Sequence, residues 1–254
     1  MRARAIVVLG VAAYAVFAVA TVPAQLVARR ASVPGAIELA DAHGTLWNGS
    51  ARATIGPPGA AISLGALHWR FLASRLLASR LAFAIDAQGD HLEAHGTIER
   101  GLTLTEARDL RLRADAAALA ALAPLAASWR PEGAVTLSAP AVAWDGSEAR
   151  GHARLEWRDA ALALSGVRPL GSYRVDATAD GGPARIAVAT LEGPLRVSGT
   201  GTFAPPASLA FSGEARAEGP SSAALEPLLD LLGPRRPDGA HALQWRSTPG
   251  VARR

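Results

Sequence analysis

From residue 33 to residue 246 the chain alternates apolar and polar side chains with a period of two, and this habit limits the possible folds more than any motif does. In RLAFAID (80–86), Leu81, Phe83 and Ile85 share one face. In LRLRAD (110–115), Leu110 and Leu112 face away from Arg111 and Arg113. PLRVSGTGTF (194–203) sets Leu195, Val197 and Phe203 against Arg196, Ser198, Thr200 and Thr202. SLAFSGEARAE (208–218) repeats the pattern with Leu209, Phe211, Ala215 and Ala217, and HALQWR (241–246) ends it with Leu243 and Trp245. Such alternation marks strands with one face on a core and the other in water. Turn-formers punctuate the runs at 56–59, 88–90, 145–146, 181–183 and 204–206. The expectation is a mainly β protein: an elongated, curled antiparallel sheet over a narrow core.

Two segments leave this period. DAAALAALAPLAA (115–127) reads as a short helix with Asp115 as its N-cap. SSAALEPLLDLLGP (221–234) places Leu225, Leu228, Leu229 and Leu232 at helical spacing over about 221–232 and stops at Gly233-Pro234. Each helix follows a run of strands, which divides the β-rich region 31–246 into two similar blocks, about 31–128 and 129–246. These are either a duplication or one continuous sheet, and residues 247–254 read as a flexible tail.

The N-terminus sets the compartment. Arg2 and Arg4 precede an apolar run from Ala5 to Val22, 18 residues long and closed by Pro23 and Arg29-Arg30. That length is about the minimum for a membrane-spanning helix. It exceeds the usual core of a cleaved signal peptide, although Ala18-Val19-Ala20 would suit cleavage. The expectation is an uncleaved signal-anchor over residues 1–30, single-pass in the bacterial inner membrane, with the bulk of the chain in the periplasm.

Composition excludes several classes. There is no cysteine, so disulfides, thiol catalysis and cysteine-ligated metal are ruled out. All 26 basic residues are arginine, scattered along the chain, with a net excess of four over Asp and Glu. A nucleic-acid partner would call for a basic stripe interleaved with aromatics, and there is none. No phosphate loop, Gly-x-Ser-x-Gly elbow or His-Glu-x-x-His motif occurs. The sequence therefore reads as a non-enzyme that needs no cofactor. The weak metal candidate is HLEAH (91–95), where His91, Glu93 and His95 share a strand face at about 6.6 Å spacing. That spacing is too stretched to close on one ion, and a wet strand face is the simpler reading.

The six tryptophans make up nearly half of the aromatics. Trp69 and Trp157 fall on the same faces as Leu67 and Leu155, which suits core packing. Trp47, in GTLWNGSARA (44–53), lies between turn-formers and suits either a plug at the end of the sheet or a partner contact. Together with Tyr173 these are the candidate structural or partner-contact residues.

After the apolar N-terminus come GTLWNGSARA, LGALHWRFLASRLLASRLAFAIDAQG, EARGHARLEWRDA, PLGSYRVDATADGG, ATLEGPLRVSGTGTF, LAFSGEARA and ALEPLLDLLG. In that order they resemble the type II secretion system protein N family, also called general secretion pathway protein N, over about residues 1–246. The resemblance implies a single-pass inner-membrane protein with a periplasmic β domain. Such a protein is an accessory of the machinery that exports folded periplasmic proteins, with other secretion components as partners. It brings no catalytic or binding residues with it. The family is also similar to longer β-groove proteins thought to carry lipid between bacterial membranes, so an envelope lipid-binding or lipid-transfer module is the alternative.

Overall fold

The computed structural model describes residues 21–32, 37–55, 62–120, 128–204 and 208–247. Thirteen strands form one antiparallel sheet whose spatial order is the order in the chain. They are β1 (Ile37–Gly44), β2 (Asn48–Ile55), β3 (Ile62–Phe71), β4 (Leu81–Gln88), β5 (Leu92–Arg100), β6 (Thr105–Asp115), β7 (Pro131–Trp144), β8 (Ala149–Leu162), β9 (Gly171–Asp180), β10 (Ala184–Glu192), β11 (Leu195–Ala204), β12 (Ser208–Ala217) and β13 (His241–Ser247). The sheet is not closed, because β1 and β13 lie at its opposite ends. Pairing of β6 with β7, from Asp115 opposite Ala134 to Thr105 opposite Trp144, carries it without a break between the two sequence blocks.

Among the described residues three short α-helices accompany the sheet: α1 (Ala24–Ala31), α2 (Ala116–Ala120) and α3 (Ser222–Leu232). The helix expected over 115–127 is seen as α2, and residues 121–127 lie outside the described residues. Asp115, expected as its N-cap, closes β6 and gives its carboxylate to His91 at 2.9 Å. Most of the expected transmembrane segment, residues 1–20, also lies outside the described residues, as does most of the tail, 248–254. Among the described residues no helix is long and apolar enough to cross a membrane.

The pairing is interrupted by several register shifts, and aspartates sit at three of them. Asp41, Asp109 and Asp159 each adopt a left-handed backbone with φ near 50°. Each sits where the register slips by a residue. Asp tolerates this conformation better than most residues, and a bulge of this kind re-aims the side chains that follow it. Leu39 and Ala42, on either side of Asp41, consequently join the same apolar cluster despite their opposite parity. Across Asp109, Glu106 and Arg108 stay on the charged face while Leu110 and Leu112 turn to the apolar one. Around Asp159, Trp157 pairs with Tyr173 and Ala160 with Gly171.

The apolar face is covered unevenly. At the C-terminal end α3 lies on it, and Leu225, Leu228 and Leu229 join Leu170, Leu195, Phe211, Ala215 and Leu243 in the largest cluster. Each of the three helical leucines gains roughly 1.5–3 kcal/mol from leaving water. A methyl group added at Gly199 would come within 2.5 Å of the Phe211 ring, so that ring lies over bare backbone of the neighbouring strand. It also stacks on Trp245, with centroids 5.7 Å apart. At the N-terminal end the core is smaller: Ala24 of α1, Ala51 and Trp69.

Candidate functional site

Because the sheet is a meander, the connections after β1, β3, β5 and β7 lie along one edge, called the first edge below. At its start, GTLWNGS makes a tight corner. The Thr45 hydroxyl oxygen accepts from the Trp47 and Asn48 amides, and Thr45 N donates to Asn48 O at 2.9 Å. Gly49 stands opposite Trp69, and a Cβ at Gly49 would lie 2.5 Å from the indole, so the indole rests against the glycine backbone. Trp69 Nε1 donates to the Thr45 and Leu46 carbonyls at 3.2 and 3.1 Å. The buried plug at this corner is therefore Trp69, 8% exposed. Trp47, the expected plug, is half-buried with its ring edge-on to Phe71 at 4.8 Å, and Phe71 lies 5.4 Å from Phe83. The chain arriving from the N-terminus joins here, with Leu46 N donating to Val22 O at 2.8 Å and Pro23 paired with Thr45.

The next connection carries a 3-10 turn, Ala73–Ala78, fixed by charge. Glu99 of β5, 1% exposed, lies 3.3 Å from Arg75 and accepts from Arg80 at 3.1 Å. Arg80 also reaches Glu106 at 2.9 Å, and Arg108 reaches Glu106 at 3.0 Å. Burial pushes the Glu106 carboxyl up, but hydrogen bonds from Arg108 and Arg80 outweigh it and hold the group below the ordinary glutamate value. The Arg80 guanidinium is raised in turn by its bonds to Glu106 and Glu99. On this clamped turn Leu77 is 95% exposed, and Leu102, on the connection after β5, is 94% exposed. Leu81, Arg100, Thr105, Trp144 and Ala149 form one transverse row along the edge. Its two large apolar members, Leu81 and Trp144, are close to half exposed. Exposed apolar side chains spread along one edge, with arginine and threonine between them, are surface that a protein partner can bury.

The other predicted residues have structural surroundings. PLGSYRV and LEGPLRV interlock: Leu195 N donates to Leu170 O and the Tyr173 hydroxyl donates to Leu195 O, both at 3.0 Å. A Cβ at Gly193 would fall 2.2 Å from Gly171 Cα, so two glycines are needed for these segments to cross. Burial pushes the Tyr173 phenol well above its ordinary value. Trp157 lies 6.1 Å from the Tyr173 ring, half-buried, with Nε1 donating to Glu132 O. His91, Glu93 and His95 are all exposed. The two imidazoles are engaged by separate carboxylates, Asp115 at 2.9 Å and Asp86 at 2.5 Å. The structure does not bring the three together. Among the described residues, the metal-ligating side chains whose donor atoms do converge are Glu226, Asp230 and His241.

The family model for type II secretion system (T2SS), protein N, matches residues 35–244. The chain belongs to that family. No curated protein and no solved structure matches it. The match runs from just before β1 into β13 and takes in both the Thr45–Trp69 corner and the Tyr173–Leu195 crossing. A T2SS protein N is a component of the type II secretion machinery, which places this chain in the bacterial envelope and among other secretion components.

Sequence reasoning missed the Glu99 cluster. Arg75 and Arg80 were visible in the Leu/Arg-rich stretch after Trp69, but nothing local says that this turn folds back over the charged face of β5. The available signal was five-residue spacing of the two arginines beside a strand ending in Glu-Arg.

Proposed function

We propose that this T2SS protein N is a non-catalytic accessory held in the inner membrane by its N-terminal apolar segment. It supports export of folded periplasmic proteins across the outer membrane through protein–protein contacts. The observation that carries this reading is the first edge, where the strip of Leu77, Leu81, Leu102 and Trp144 shares the edge with the corner at which Val22 enters the sheet. A partner held in the same membrane meets that edge first. Deleting the gene and assaying exported enzymes in medium and periplasm tests the role. The expected outcome is periplasmic accumulation, reversed by the wild-type copy.

The lipid-carrier alternative ranks second. A concavity of about 990 Å³ spans β9–β13, but Asp176, Thr178, Arg185, Thr200 and Arg246 are in its lining. That chemistry suits a polar partner segment better than an acyl chain. Stoichiometric phospholipid in the purified protein, detected by mass spectrometry, would reverse the ranking.

A further inference from the structure

The C-terminal end holds an arrangement that neither secretion nor the fold accounts for. His241, the first residue of β13, is fully buried. Its Nδ1 lies 2.9 Å from the Gly233 carbonyl, and since a carbonyl only accepts, Nδ1 carries the proton. In the neutral ring the lone pair is therefore on Nε2. That atom is buried without a hydrogen-bond partner and lies 3.6 Å from Glu226 Oε2. The gap is too long for a hydrogen bond, which closes at about 3.2 Å. It is close to the edge of a tetrahedron whose bonds are about 2.0–2.1 Å long, for which two ligand atoms sit roughly 3.3 Å apart. Asp230, one helical turn beyond Glu226 on α3, completes a set whose donor atoms all lie within 4.8 Å of one another; its Oδ1 stands 3.8 Å from Nδ1, so this exposed carboxylate has to turn towards Nε2 to share an ion with it. Arg235, 3.8 Å from the second oxygen of Glu226, is the neighbouring cation at the rim.

The mounting is also that of a ligand. A metal-bound histidine normally gives its other N–H to a carbonyl or carboxylate, which fixes ring orientation and tautomer. Gly233 provides that carbonyl, and its bare Cα makes the approach possible: a Cβ there would fall 1.9 Å from Ala242 O. We propose that Glu226, Asp230 and His241 bind a divalent transition-metal ion of the zinc class, with His241 Nε2 and a carboxylate oxygen from each acidic residue as ligands. One imidazole with two carboxylates favours zinc-class ions over magnesium or calcium, which take all-oxygen shells. The ion would staple α3 to β13, the last strand of an open sheet.

The test is a zinc titration of the full-length chain in detergent, followed by calorimetry, with cobalt(II) as the spectroscopic stand-in. Glu226→Gln and Asp230→Asn are the informative variants, because neither side chain is buried and both should fold; His95→Ala is the control on the strand face. The proposal expects one equivalent of zinc bound to the wild type. It also expects a cobalt spectrum of tetrahedral type, affinity at least about ten-fold weaker in Glu226→Gln and in Asp230→Asn, and no change in His95→Ala. It is overturned if no stoichiometric zinc binds, leaving His241 and Glu226 as an ordinary ion pair, or if the binding survives both variants or is lost in His95→Ala.

Discussion

The two ends of the sheet are held by different means. At the C-terminal end α3 covers the apolar face and eight buried residues form one cluster. At the N-terminal end the described cover is the shorter α1, which contributes Ala24 to the cluster. A tryptophan laid against a glycine, a small alanine cluster and a carboxylate among three arginines do the work instead. The first arrangement buries eight residues yet leaves Phe203, Leu231 and Trp245 more than a third exposed; the second leaves Leu77 and Leu102 more than nine-tenths exposed on the edge where the N-terminal segment enters. Burial is thus heavier at one end, and the most exposed leucines, Leu77 and Leu102, stand nearer the other.

This contrast can be broken in several ways, the most severe first. Trp69→Ala removes the ring that fills the corner and leaves the Thr45 and Leu46 carbonyls without their donor. A loss of about 3–5 kcal/mol is expected in urea unfolding, with amide exchange rising first in β1–β3. If exchange rose equally in β11–β13, the two ends would be one cooperative unit and the contrast would be wrong. Leu229→Ala, 1% exposed before mutation, should cost about 2–5 kcal/mol and should loosen α3 and β11–β13 while sparing β1–β3.

Acid should act on the N-terminal end. The Glu106 carboxyl is held below its ordinary value of 4.5, so its contribution is complete above that value and is lost as pH falls through the lowered, folded-state value. Glu106→Gln should remove part of the acid dependence of unfolding and cost on the order of 1 kcal/mol at neutral pH, since its arginine partners are partly hydrated. Asp145 offers a comparison on the same edge. Bonds from the Glu148 and Ser147 amides bring its carboxyl down to about 2, so its contribution is lost only as pH falls through that value.

The strands were legible because one face is apolar over long stretches, and α3 because four leucines and a Gly-Pro stop define it. Leu92 and Ala94 do face inward beside an exposed Glu93, as the alternation required. The bulges were not legible. An aspartate in a strand reads as one more wet residue, and its left-handed backbone appears only when the partner strand shows one residue too many. The candidate edge was half legible. The aromatic corner could be suspected from GTLWNGS, and Trp69 was read as packed in the core; that Trp69 rather than Trp47 fills this corner was hidden, because sequence does not show which residue stands opposite Gly49. Leu77 and Leu102 looked like ordinary apolar residues; only the fold shows them more than nine-tenths exposed.

The smallest expected effect on stability carries the most weight for function. Leu77→Asp with Leu102→Asp alters two side chains more than nine-tenths exposed and should change unfolding by less than about 0.5 kcal/mol each. The decisive measurement is the periplasm-to-medium ratio of an exported enzyme in a deletion strain carrying this double variant at wild-type levels. The account predicts retention in the periplasm close to that of the deletion itself. Secretion restored to the wild-type ratio by the double variant would contradict it, because the exposed strip on the first edge would then have no part in export.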